Sequence, residues 1–301
     1  MMKKKNFRQY VRRLRPIWLP IVGILLTAGI VLSCLLAHRT AADGTLEIHF
    51  LDVGQGDSVF LCTSAGNALI DTGEADARQF VHLSVQPYGS RLEYLIITHP
   101  HSDHMGGASY ILEKMEVGTV VLPRSDTWDD GYASLLGAVS KSGASVLFAV
   151  PGLEFSLGDA RFTVLAPLDQ YGEENDRSAV IRMDFGKVSA LFTGDAEQLS
   201  EADQLREYAG RDGGLLNTDI LKVGHHGSSS SSSYPYLWAV SPEYAVISCG
   251  KNNSYGHPAA DVVKRLETIG AKILRTDRLG TVRIVTDGEN ITVSSDNREN
   301  P

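Results

Sequence analysis

His99-Pro-His101-Ser-Asp103-His104 puts three imidazoles and a carboxylate into six residues, directly after the apolar run YLIIT (94–98) and before Gly106-Gly107. A lone loop histidine is usually a solvated surface group, whereas this density at the end of a strand is the composition of a metal site. In an extended segment residues i and i+2 point the same way, so His99 and His101 can face one ion. The chain must then turn, which lets Asp103 and His104 face a second position. Two ions about 3.5–4 Å apart form a clamp for hydrolytic displacement. Imidazole and carboxylate ligands without thiolate suit zinc, manganese or iron.

The rest of the chain reads as strands interrupted by helices. LEIHFLDVG, SVFLCT and NALIDTG precede YLIIT; TVVLP, SVLFAV, ARFTVLAP, AVIRMDF, VSALFTGD, YAVISC, AKILRT and TVRIVT follow it. Helices are expected near 75–85, 107–114, 197–209 and 259–269. Strand-rich segments with interspersed helices, repeated twice in outline, suggest two packed sheets with helices outside. The six serines 228–233 read as a flexible low-complexity loop beside two histidines.

Two distant segments extend the ligand set. Phe192-Thr-Gly-Asp195 ends an apolar strand with a carboxylate able to bridge two ions, and Lys222-Val-Gly-His225-His226-Gly-Ser228 ends another with imidazoles. Asp71, in LIDTG, is placed to orient a metal-bound histidine, as such histidines usually require, or to serve as a simple turn residue. Asp52 and Asp57 flank the turn Gly54-Gln-Gly56, with a structural and a chemical role equally open. His257, in Tyr255-Gly-His-Pro258, has the side-chain chemistry of a proton donor near neutrality; packing before a proline is its other reading. Ser178 is a further candidate for substrate contact.

THPHSDHMGG (98–107) matches the HxHxDH signature of the metallo-β-lactamase superfamily. FLDVGQGDS (50–58), NDRSAV (175–180), FTGDAE (192–197), LKVGHHGS (221–228) and YGHP (255–258) resemble the detached hydrolase domain of ComEC-type competence proteins. The resemblance runs from about residue 46 to 293. It implies an α/β fold, a four-layer αββα metallo-β-lactamase sandwich, over residues 45–295, and two divalent metal ions, zinc or manganese. By the same resemblance His99 and His101 bind metal one, Asp103 and His104 bind metal two, Asp195 bridges, and His225, favoured over His226, completes metal two. Many members carry a third imidazole on metal one where this chain has Asn175, a weak uncharged ligand; this keeps manganese, which prefers oxygen donors, in play.

Residues 17–37 form an uncharged apolar run of 21, long enough for an N-terminal transmembrane helix across about 30 Å of hydrocarbon. Seven basic groups and no acidic one lie in residues 1–15, so segment 1–16 is expected in the cytoplasm and everything beyond the 38–44 linker outside it. A cleaved signal and a lipoprotein signal acylated at Cys34 are the competing readings, and both leave the catalytic part extracytoplasmic. Cys62 and Cys249 sit in apolar runs as small hydrophobes, with no disulfide indicated. Residues 296–301 form a tail.

Removing those seven positive charges from the formal net charge of −8 leaves −15 on the remainder. An acidic field of that size opposes nonspecific binding to long nucleic acid. The leading expectation is metal-assisted hydrolysis, with Asp103 or Asp195 accepting a proton and His257 delivering one. The resemblance favours a phosphodiester, with DNA among the candidates, and the acidic surface makes a small or short phosphoester equally attractive. Two other classes stay open: an acyl or lactam hydrolase, and a non-catalytic component of a DNA-uptake or envelope assembly. The bilayer is the expected partner of residues 17–37, and protein partners are unknown.

Overall fold

The computed structural model describes residues 20–27, 40–125, 129–210 and 214–297. The chain divides between residues 39 and 40 into two units. In the first, residues 20–27 are helical, with the Thr27 hydroxyl donating to the Gly23 carbonyl at 2.9 Å. Among the described residues no helix is long and apolar enough to cross a membrane. Of the 17–37 run expected to form an anchor, all but this short piece lies outside them.

The second unit holds two sheets. The first has eight strands in the order β15-β14-β1-β2-β3-β4-β5-β6: β1 Leu46–Phe50, β2 Val59–Thr63, β3 Gly66–Ile70, β4 Arg91–Ile96, β5 Glu116–Pro123, β6 Ser145–Ala149, β14 Val282–Thr286 and β15 Ile291–Ser295. The second has seven, β13-β12-β11-β10-β9-β8-β7: β7 Glu154–Leu157, β8 Ala160–Ala166, β9 Val180–Phe185, β10 Val188–Phe192, β11 Ile220–Lys222, β12 Tyr244–Ile247 and β13 Lys272–Arg275. Each begins as an antiparallel meander and continues as parallel strands with helical crossovers. The repeated outline expected from the sequence is therefore present in the topology.

Alternation along the strands builds the layers. In β2, Val59 and Leu61 enter the core between the sheets while Phe60 and Cys62 enter the core beneath the helices, the period of two that a strand imposes. All five residues are buried, as in a strand covered on both faces. Phe50 and Phe192 meet between the sheets with ring centroids 6.4 Å apart. Helices Arg78–Val85, Ala108–Lys114 and Asp130–Ser142 cover one outer face, and Gln198–Tyr208, Tyr234–Val240 and Ala260–Thr268 cover the other. Cys62 and Cys249 are buried free thiols.

The serine run is a correction to the sequence reading. Ser231 and Ser232 are buried, the Ser231 hydroxyl donates to the Ala196 carbonyl at 2.8 Å, and the buried Glu201 carboxylate accepts the amides of Ser232 and Ser233. Side chains this small let the backbone pack against the Gln198–Tyr208 helix, so the segment is a tied strap instead of a loose loop.

Candidate metal centre

Parallel strands end on a common rim, where α/β sheets place their ligands. His99 follows β4, Asp195 follows β10, the histidine pair follows β11, and Asp57 and Asp71 lie just beyond β1 and β3. The rim is tightly built. The Asp57 amide bonds the Asp103 carbonyl at 3.1 Å, and a Cβ on Gly56 would come within 2.4 Å of that same oxygen. Gly194, at φ +51°, lies against Thr98 and Ser178, where an added Cβ would be 3.0 Å from each. Glycine is required there by both dihedral and space.

Asp103, His104, Asp195 and His226 each bring a ligand atom into one compact group, all within 4.8 Å of one another. His104 Nε2 is 3.2 Å from Asp195 Oδ1, and His226 Nε2 is 3.1 Å from Asp103 Oδ2 and 3.5 Å from Asp195 Oδ2. The opposite ring nitrogens are tied: His104 Nδ1 donates to Asp71 at 2.8 Å and His226 Nδ1 to the Ser248 carbonyl at 3.0 Å. With Nδ1 engaged in each ring, Nε2 is the atom directed at the carboxylates, the orientation a metal-binding histidine needs. Asp71 also accepts the Thr98 amide at 2.8 Å and the Thr98 hydroxyl at 2.7 Å, and that hydroxyl accepts from His99 Nδ1 at 3.2 Å. One carboxylate thus holds His104 directly and His99 through Thr98.

His99 is fully buried with Nε2 4.0 Å from Asp195 Oδ2, and the exposed His101 ring stands 4.5 Å from it between centroids. The resemblance favours His225 as the ligand of metal two, and both adjacent histidines lie near Asp195. His226 joins the compact group, whereas His225 Nδ1 donates to Glu197 at 2.9 Å and its Nε2 lies 3.7 Å from Asp195. Both occupy the left-handed region, φ 47° and 53°, which costs about 1–3 kcal/mol per residue, and their ring centroids stand 6.0 Å apart with planes at 70°. Strain of that kind persists only where the surroundings enforce it.

The NDRS motif serves the scaffold. Asn175 Nδ2 donates to Glu197 at 3.1 Å, Asp176 accepts the amides of Glu197 and Ser200 at 3.0 Å each, and the Ser178 hydroxyl accepts the Asp195 amide at 3.1 Å. Ser178, a candidate for substrate contact, is fully buried and its hydroxyl holds the Asp195 backbone. Asp52 is exposed and away from this group, its amide bonded to Thr281, whereas Asp57 is buried. His257 is half-buried at the mouth, its ring centroid 5.5 Å from that of His225.

Two important residues escaped the sequence reading. Lys222 is buried and forms an ion pair with Asp57, while donating to the Gly194 carbonyl at 3.1 Å. The signal was a lysine inside an apolar strand, a position such a residue almost never takes unpaired. Glu197 collects Asn175, His225 and the Ser230 hydroxyl on one oxygen.

The carboxylates and imidazoles of the cluster set one another's charge. Burial opposes charge on Asp103, yet the hydrogen bond from His226 and the charge on His104 hold its carboxyl at about 2. Asp195 lies well below the carboxylate range, since His226 and His104 overcome its burial. Conversely burial would depress His104, but Asp195 and Asp71 drive it well above its usual value. His99 lies well below, from burial and the neighbouring His104. His99 Nε2, His104 Nε2, Asp195 Oδ1 and Asn175 Oδ1 are buried without a hydrogen-bond partner. Each such atom costs about 1–3 kcal/mol, and a divalent ion would satisfy the nitrogens and the carboxylate together. Donor set and geometry therefore fit divalent metal.

Comparisons with known proteins agree. The sequence profile of the metallo-beta-lactamase superfamily matches residues 51–251. The chain is 30% identical to ComE operon protein 3 of Bacillus subtilis over 262 residues, 79% of this chain and 32% of that protein. It is 32% identical to competence protein ComA of Neisseria gonorrhoeae over 266 residues, 87% and 35% of the two. It thus spans about a third of the length of these relatives. Among solved structures, the diiron β-hydroxylase CmlA of Streptomyces venezuelae superposes with TM-score 0.54 at 19% identity, over 82% of this chain and 55% of that one. The Bacillus subtilis fold protein YhfI gives 0.53 at 12% identity, over 79% and 99%. With two sheets, outer helices and a His/Asp cluster on the shared rim, the chain belongs to the metallo-β-lactamase superfamily and carries its metal-dependent hydrolase fold.

Proposed function

We propose that this protein is a two-metal phosphodiesterase, tethered by residues 17–37 and acting outside the cytoplasm on short phosphoesters, DNA ends among them. The observation that carries the reading is the convergence of His99, His104 and Asp195 atoms, buried without partners, around an acid-rich rim. The competence relatives support the substrate class. The uncharged 17–37 run behind seven basic residues supports the tether.

Asp103, His104, Asp195 and His226 would hold one ion; His99, His101 and Asp195, with Asn175 or His225 beside them, would hold the other. Zinc or manganese held there would supply a nucleophilic water at neutral pH and offset charge developing on the ester oxygens. Asp71 keeps both His104 and, through Thr98, His99 in the correct tautomer. Asp103 and Asp195, ionised at neutral pH, are placed to accept the proton, and His257 at the mouth is placed to reach the departing oxygen.

Elemental analysis with turnover of bis(p-nitrophenyl) phosphate and nitrocefin tests the reading. The wild type should bind divalent metal and cleave the phosphodiester in preference to the lactam. Asp195→Ala should lose on the order of 10⁴-fold in rate, as when one member of a catalytic unit is removed. Metal-free protein without turnover would sink the enzyme reading, and preference for nitrocefin would make it a lactam hydrolase.

A further inference from the structure

Along the same rim lies a cavity of about 710 Å³, lined in part by Arg124, Phe148, Pro151, Pro167, Asp169 and Arg177. Its walls follow β5, β6 and β8, whereas the ligand residues follow β4 and β10. Since β4, β5 and β6 are successive neighbours in their sheet, the cavity begins about one strand spacing, roughly 4.8 Å, from the end of β4. The turn Asn175–Arg177 belongs to both places: Asn175 bonds Glu197 beside the cluster, and Arg177, paired with Glu174 at 3.1 Å, lines the cavity.

The lining suits a flat heterocycle joined to an anion. Phe148 is 49% exposed on β6, the edge strand of its sheet, so its ring is available for stacking. Two prolines, Pro151 and Pro167, add apolar walls. Arg124 is exposed, and among the described residues it has no carboxylate partner. Arg177 is paired with Glu174, so on a chain this acidic the positive charge offered to an anion here is that of the exposed Arg124.

We propose that this cavity is the subsite for the nucleoside arm of a phosphodiester substrate, with the base stacked on Phe148 and Arg124 contacting the adjoining phosphate. The location of the scissile ester rests on the phosphodiesterase reading; nucleotide binding by the cavity is separable from it. Base stacking on an aromatic ring contributes about 1–3 kcal/mol and tolerates any base, so the subsite selects nucleotides as a class.

The test is calorimetric binding of adenosine 5′-monophosphate to the full chain and to Phe148→Ala and Arg124→Ala. Hydrolysis of thymidine 5′-(p-nitrophenyl phosphate) and of methyl p-nitrophenyl phosphate, which has no base, is followed alongside. Phe148→Ala should weaken nucleotide binding about tenfold and raise KM for the thymidine ester by a similar factor, leaving the methyl ester unchanged. Arg124→Ala should weaken nucleotide binding in the same direction. No binding by the wild type, or equal binding by wild type and Phe148→Ala, overturns the subsite. Phe148-dependent nucleotide binding in a chain that cleaves neither ester supports the subsite and overturns the phosphodiesterase reading instead.

Discussion

The two sides of Asp195 are held by different means. On one side His104 and His226 are each fixed through Nδ1, by Asp71 and by the Ser248 carbonyl, and their Nε2 atoms come within 3.2 Å of a carboxylate. On the other side His101 is exposed, Asn175 has a buried oxygen without a partner, and His225 is tied to Glu197 with Nε2 3.7 Å from Asp195. A preformed site gives up little entropy when an ion enters, whereas a looser one must order its ligands at that moment. The contrast therefore predicts one tightly held ion and one exchangeable ion.

The largest expected effect comes from the adjacent histidines. His226→Ala should remove the tight ion, so that protein dialysed against a weak chelator loses nearly all its metal by elemental analysis. His225→Ala should keep that ion and lose only the exchangeable one. The reverse outcome would return the two residues to the order expected from the sequence and break the comparison.

Next in size is the buried pair beneath the compact side. Lys222 and Asp57 are both almost wholly enclosed, and Asp57 is held at about 2, where the Lys222 and His226 charges outweigh its burial. Removing one partner of a buried pair costs about 3–5 kcal/mol, because the other charge is left uncompensated. Lys222→Ala should lower the urea-unfolding free energy of the metal-free protein by that amount. A loss below about 1 kcal/mol would show that the compact side does not depend on the pair.

Legibility in the sequence followed the same divide between local and distant contacts. Period-two burial and strand-end ligands act within a few residues, so the strands, the His99–His104 cluster and Asp195 could be read directly. The choice between His225 and His226 depends on two left-handed residues, and sequence spacing carries no trace of φ. The serine strap depends on Glu201, about thirty residues upstream, and Ser178 on the amide of Asp195. Helix Asp130–Ser142 was missed because Gly131 and Gly137 weaken its helical signal; tertiary packing of Tyr132, Leu135 and Val139 overrides that weakness.

The smallest effect probes what joins the two sides. Asp71 accepts from His104 directly and from Thr98, whose hydroxyl in turn meets His99. Asp71→Asn keeps the shape but replaces a carboxylate oxygen with a donor or a neutral acceptor, so one imidazole tautomer loses its anchor. Changes to such supporting groups typically cost 10–100-fold in metal affinity, and here both ions should feel it. Competition against a chromophoric chelator measures each step. A loss confined to the tight step would mean that Thr98 does not relay Asp71 to His99, and the two sides would then be independent. Equal weakening of both steps would show that one buried carboxylate sets the tautomers on either side of Asp195, even though the two sides differ in how tightly they are built.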